Sequence, residues 1–291
     1  MSDEFQYLPD RFQGKVLLVT GAAIGSIGGC VAIRAAREGA RVVCVDRKRE
    51  ATERTVDEIT SKGGAAALFL GDVSVVEQCD SMVKFAVDTF GAVDLAVNAA
   101  GVMDGTDPCQ DQDFTRDQAL LPSPIATATD TYWHRVFATN IHGVFYSMRA
   151  ELRQMLTQQR PAAIVNISSI AGLTGLPGNC AYSASKHAVN GLTRNAAVDY
   201  AGHGIRVNSV NMAQTETPMV DRARTFVRWA SQTGETGSMA SLKSRSLLQP
   251  SAAMPGSTPW EQAAVILFLL SDDASNITGA LYATDGGWTA Y

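Results

Sequence analysis

Short apolar runs alternate with longer stretches of mixed polarity along most of this chain. Residues 15–20 read Lys-Val-Leu-Leu-Val-Thr and stop at a glycine, a pattern that suits a strand buried on both faces of a parallel sheet. Similar runs predict further strands over 41–46, 65–70, 95–98, 162–168, 206–210 and 280–284. Between them the spacing predicts helices over 28–38, 49–62, 75–90, 131–158, 181–200 and 260–270. Strands and helices in this alternation imply an α/β fold, a doubly wound parallel sheet with right-handed crossovers. No repeat or linker divides the chain, so residues 1–14 are expected to be an N-terminal extension and 15–291 one domain.

Two segments break the rhythm. Residues 102–131 are polar and hold Pro108, Pro122 and Pro124, whereas 216–259 mix charge, glycine and large apolar groups. Long irregular excursions in a compact domain are usually functional lids or disordered loops. The first is expected to be an insertion beside the site, and the second a substrate lid.

Composition narrows the possibilities. Of 291 residues 46% are hydrophobic and 18% charged, and the formal net charge of -5 offers no basic surface for nucleic acid. The longest apolar run, 263–270, falls far short of the roughly 20 residues that span a bilayer, so no membrane is expected. The polar start, with Asp3, Glu4 and Asp10, lacks the pattern of a secretory signal. Five scattered cysteines and four histidines form no ligand set; no metal is expected, and the thiols point to a reducing, cytoplasmic setting.

Candidate chemistry sits at the strand ends. Residues 20–29 read Thr-Gly-Ala-Ala-Ile-Gly-Ser-Ile-Gly-Gly between the first strand and the first helix. Glycines at such a turn let the backbone approach a pyrophosphate, which then rests on the helix N-terminus. Gly21, Gly25, Ser26, Ile27 and Gly28 are therefore candidates to hold a dinucleotide. Asp46 ends the second strand eighteen positions after Gly28. A carboxylate there accepts ribose hydroxyls and repels a 2′-phosphate, which favours NAD over NADP; Arg47, next in the chain, would soften that repulsion. Asp72 and Val73 close the third strand, where an adenine edge would be read. Asn98, Ala99, Ala100 and Gly101 close the fourth, where small residues leave room for ribose.

Tyr182-Ser183-Ala184-Ser185-Lys186 opens a helix, and residues four apart share a helical face, so the Lys186 ammonium lies near the Tyr182 phenol. A tyrosine ionises near pH 10, and a nearby cation is expected to lower that value and make the phenolate a usable base. Ser169, thirteen residues upstream at the end of the preceding strand, would be returned by a turn-rich loop to hydrogen-bond the substrate oxygen. Ser168 would face the other way and serve structure.

Together these residues resemble the short-chain dehydrogenase/reductase family, from Lys15 to Asp285-Gly286-Gly287. The resemblance implies a single-domain Rossmann fold and a catalytic tetrad of Asn140, Ser169, Tyr182 and Lys186. Asn140 would hold a water linking Lys186 to solvent, and Lys186 would also bind the nicotinamide ribose. Asn208 and Thr217 match positions near the nicotinamide, with Thr215 where the backbone meets the carboxamide. A homotetramer or homodimer packed through the two long helices is implied as well. Three features depart from the family pattern: an extra residue between Gly25 and Gly28, Met212-Ala213 in place of Pro-Gly, and the longer 102–131 segment.

The function this predicts is hydride exchange between NAD and a secondary alcohol or ketone. Met219, Phe226, Trp229, Met239, Leu242, Leu247, Leu248 and Met254 would either wall an apolar, even cyclic, substrate pocket or form ordinary core under a loop. Arg222, Arg224 and Arg228 are expected on a solvated face. Alternatives are a reductase of ketones or 3-oxoacyl thioesters, and a non-catalytic nucleotide-binding scaffold.

Overall fold

The computed structural model describes residues 7–233, 247–248 and 256–290. Seven strands, β1 (Val16–Thr20), β2 (Arg41–Asp46), β3 (Ala65–Leu70), β4 (Leu95–Asn98), β5 (Ala162–Ile167), β6 (Ile205–Met212) and β7 (Leu281–Thr284), pair in parallel. They form one sheet in the order β3-β2-β1-β4-β5-β6-β7. The direction of winding reverses between β1 and β4, so a crevice opens at their carboxyl ends. Thr20 pairs with both Val45 and Asn98, which sets the ends of β1, β2 and β4 at one level.

Eight helices among the described residues complete the fold: α1 (Ile27–Arg37), α2 (Arg49–Thr60), α3 (Val76–Phe90), α4 (Asp130–Phe137), α5 (Val144–Gln158), α6 (Cys180–Tyr200), α7 (Pro218–Thr233) and α8 (Pro259–Leu270). Alternate strand residues feed two cores because successive side chains point to opposite faces. Leu17, Val19, Val42 and Cys44 pack with α1 and α8, while Leu18, Val43, Ala96 and Ile164 pack with α3, α5 and α6. Within the expected N-terminal extension, 1–14, Phe12 is buried in the first core and its N–H donates to the Glu38 carbonyl.

Two elements differ from the sequence expectation. The helix expected over 131–158 carries a wider, π-type turn at Ala138–Gly143 between α4 and α5. Asn140 lies in that turn and is tied to the Val102 backbone, which holds the extra residue out of the regular ladder. The irregular stretch expected from 216 begins instead with a 16-residue helix, α7. Its apolar side, Phe226, Trp229 and Ala230, packs on Phe114 and Leu121 of the 102–131 segment.

Candidate active site

The glycine turn joins β1 to α1. Ser26 caps the helix: its hydroxyl accepts the Gly29 N–H at 3.0 Å and donates to the Gly21 carbonyl at 2.7 Å. Among the described residues, the N–H groups of Ile27 and Gly28 then have no partner, leaving two donors for an anion at the positive end of the helix. Gly25 in the turn has φ of +78°, which avoids strain that an L side chain would bring. Gly28 answers to space, because a Cβ there would lie 2.5 Å from the Gly21 carbonyl oxygen. This donor set fits a dinucleotide.

Asp46 leaves β2 beside the turn. One carboxylate oxygen accepts the Ala23 N–H at 3.2 Å and the other the Lys48 N–H at 3.0 Å, which fixes the group with acceptor capacity to spare. Arg47 is engaged by Asp72 and by Asp107 of the insertion, at 3.3 and 3.1 Å. Val73 is buried against Gly143. Past β4, the Ala99 and Ala100 N–H groups donate to the Thr20 hydroxyl, and Gly21 crosses close beneath them. The Asn98 side chain departs from its expected place: its amide is committed inward to Glu151 and Asn166 at 3.0 and 3.1 Å. Any contribution to ribose from this stretch falls to its backbone and to Ala99, Ala100 and Gly101.

Ser169, Tyr182, Lys186 and Asn140 converge. Ser169 follows β5 and lies close enough to the Tyr182 phenol to favour its ionised form, while its oxygen accepts the Ala171 N–H at 3.1 Å. The Lys186 ammonium lies 5.5 Å from the Tyr182 ring centre and donates to the Ile167 carbonyl at 2.9 Å. Ser168 turns away and donates to the Lys186 carbonyl at 3.2 Å. Asn140 is fully buried; its amide donates to the Val102 carbonyl and to Ser185, and its oxygen accepts the Val102 N–H. A Cβ at Gly101 would sit 3.4 Å from the Asn140 oxygen and 3.6 Å from the Lys186 nitrogen, so these two groups flank the same glycine.

Burial governs the titration of this cluster. It pushes the Tyr182 phenol above its ordinary value, with neighbouring Ser169 opposing, and it lowers Lys186 to about 8. Lys186 is not among the groups that shift the phenol in this cluster; burial is the largest cause, and Ser169 opposes it.

Other expected residues separate into groups. Thr215 pairs with Ser257 at 3.0 Å, and the Thr217 hydroxyl accepts the Val220 N–H at the start of α7. Asn208 is not at the site: its amide donates to the Ile277 carbonyl and its oxygen accepts the Ala280 N–H, clipping β6 to the approach of β7. Phe226 and Trp229 belong to the satellite core beneath the insertion rather than an open wall. Arg222 and Arg224 are not simply solvated. Arg222 donates to Thr106 and to the Gln110 carbonyl, and Arg224 pairs with Glu216. Leu247 and Leu248 are exposed; Met239, Leu242 and Met254 lie outside the described residues. Sequence reasoning missed Ser185, Asp107 and Glu151. Only Ser185 carried a signal, three residues after Tyr182 on the same helix.

Comparisons with known proteins agree with this architecture. The model of the family described as short chain dehydrogenase matches residues 15–227. A 3beta-hydroxysteroid dehydrogenase of Mediterraneibacter gnavus is 37% identical over 295 residues, covering 98% of each chain. A cyclohexanol dehydrogenase of Acinetobacter sp. is 36% identical, covering 97% of this chain and 98% of that protein. The crystal structure of levodione reductase superposes with a TM-score of 0.79 at 30% identity, over 96% of this chain and 99% of that one.

Proposed function

The chain belongs to the short-chain dehydrogenase family, and from that premise we propose that it oxidises a cyclic secondary alcohol with NAD, Tyr182 taking the proton. It is an alcohol oxidoreductase that uses a nicotinamide cofactor; NAD, the individual roles and the substrate class are the proposal. One observation carries it: Ser169, Tyr182 and Lys186 meet at the carboxyl edge of the sheet, beside a glycine turn with free donors.

The chain's own groups divide the work. Ile27 and Gly28 would take the pyrophosphate, Asp46 the adenosine ribose, and Lys186 the nicotinamide ribose. The nicotinamide, when bound, supplies the hydride acceptor. Ser169 donates a hydrogen bond to the substrate oxygen and orients it toward Tyr182. Tyr182 accepts the hydroxyl proton as the carbonyl forms and returns it in reduction. Lys186, anchored by the Ile167 carbonyl, keeps positive charge close to that phenol. The tetrad argues against a scaffold, which has no use for it. Ketone reduction is the same chemistry reversed, and the likeness to levodione reductase, a reductase by name, favours keeping it as the second reading.

A cyclic, apolar substrate is supported by the names of the relatives, which include cyclopentanol dehydrogenase of Comamonas sp. at 34% identity. Exposed Phe145 on α5 and Val198 on α6 support assembly of two or four copies through these helices. Among the described residues no helix is long and apolar enough to cross a membrane, and the proposed site of action is the cytoplasm. A screen of cyclic and linear secondary alcohols with NAD, followed by cofactor fluorescence, tests the assignment. Turnover of cyclohexanol or a 3-hydroxysteroid is expected; activity confined to charged or sugar alcohols would refute it.

A further inference from the structure

The insertion reaches the adenosine end of the site through a contact that the proposed chemistry does not use. The Arg47 guanidinium is held between two carboxylates, its Nε 3.3 Å from Asp72 and a terminal nitrogen 3.1 Å from Asp107. Neither carboxylate is loose. Asp72 accepts the N–H and hydroxyl of Ser74 at 2.9 and 2.6 Å, and Asp107 accepts the Cys109 N–H at 3.0 Å. The loop that presents Asp107 is fastened on its other side by Arg222 of α7, which donates to Thr106 at 2.6 Å and to the Gln110 carbonyl at 3.3 Å. The Cys109 thiol feels the charges of Arg47, Asp107, Lys48 and Asp46 together, which places the loop against the end of β2.

We propose that Asp107 determines cofactor selectivity: by holding Arg47 it denies that guanidinium to a 2′-phosphate and so enforces NAD. The inference rests on the NAD reading above. A guanidinium is the natural bidentate partner of a phosphate, and an uncommitted Arg47 would offset the repulsion from neighbouring Asp46. Bound between Asp72 and Asp107, with Asp46 its neighbour in the chain, it is committed to carboxylates already present, and the locality stays hostile to added negative charge. The insertion is thus both a packing partner of α7 and a filter on the cofactor.

The test is binding rather than turnover. NADH and NADPH are titrated by fluorescence into the wild type, Asp107→Asn, Asp107→Glu, and Arg47→Ala with Asp107→Asn. The wild type is expected to favour NADH. Asp107→Asn should tighten NADPH about tenfold, the worth of one charge-assisted hydrogen bond, while NADH shifts less than about threefold. Asp107→Glu should keep the native preference, and the double variant should lose the gain. An unmoved NADPH-to-NADH ratio in Asp107→Asn, or a gain that survives without Arg47, overturns this inference alone. A wild type that binds NADPH more tightly overturns the NAD reading and this inference with it.

Discussion

Burial sets Tyr182 and Lys186 against their solution habits, the phenol harder to ionise and the ammonium easier to lose. Lys186 passes from cation to amine near pH 8, so the oxidation rate of the wild type should inflect there. Lys186→Arg keeps its charge at every working pH. Its profile, at whatever reduced rate, should lack that inflection in steady-state kinetics across pH 6 to 10. Glu151 offers a second titration. It is fully buried, hydrogen-bonded by Asn98 at 3.0 Å, and raised to about 7 by desolvation. A carboxyl raised in the folded state is protonated there while the unfolded chain has already released its proton. Its contribution is complete below the unfolded value of 4.5 and is lost as pH rises through about 7. Glu151→Gln, unable to ionise, should be more stable than wild type at pH 8 by about 3 kcal/mol and nearly equal at pH 4, as read by denaturant unfolding. Tyr182, Lys186 and Ser169 were legible because helix period and strand ends fix them locally. Asp107 and Glu151 were not, since their partners lie tens of residues away in sequence.

At the level of elements, the strands were the most legible part. β2, β3 and β4 match their expected limits, because each is a short apolar run bounded by glycine or polar residues, even at the half-exposed edge strand β3. Hidden from that logic were the wide turn at Ala138–Gly143, which depends on the Val102 backbone, and α7, whose polar face of arginines and serine resembles a loop. The glycine turn makes a contrast that mutation can read. Gly25→Ala meets no neighbour within 4 Å and should cost about 1 kcal/mol, the strain of its left-handed backbone. Gly28→Ala drives a methyl against the Gly21 carbonyl at 2.5 Å and should cost about 2 to 3 kcal/mol and weaken NADH binding as well. Chemical unfolding with a parallel fluorescence titration checks both; equal effects would mean that the turn tolerates crowding.

For the whole molecule, the parallel sheet brings the ends of five strands, β1 to β5, to one edge, and the crevice there exists only when the fold is complete. Ligand binding should therefore stabilise the entire chain. NADH at a hundred times its dissociation constant should add about 2.7 kcal/mol, seen as a rise in Tm, and NADPH at the same concentration should add less. The account as a whole stands on Tyr182 as the proton acceptor and donor, and Tyr182→Phe measures this most directly, because it removes one oxygen and keeps the ring. With a cyclic secondary alcohol and NAD, turnover should fall about a thousandfold while the dissociation constant for NADH stays within about twofold of the wild type. Full turnover by the phenylalanine variant would place the proton on another group and contradict the mechanism.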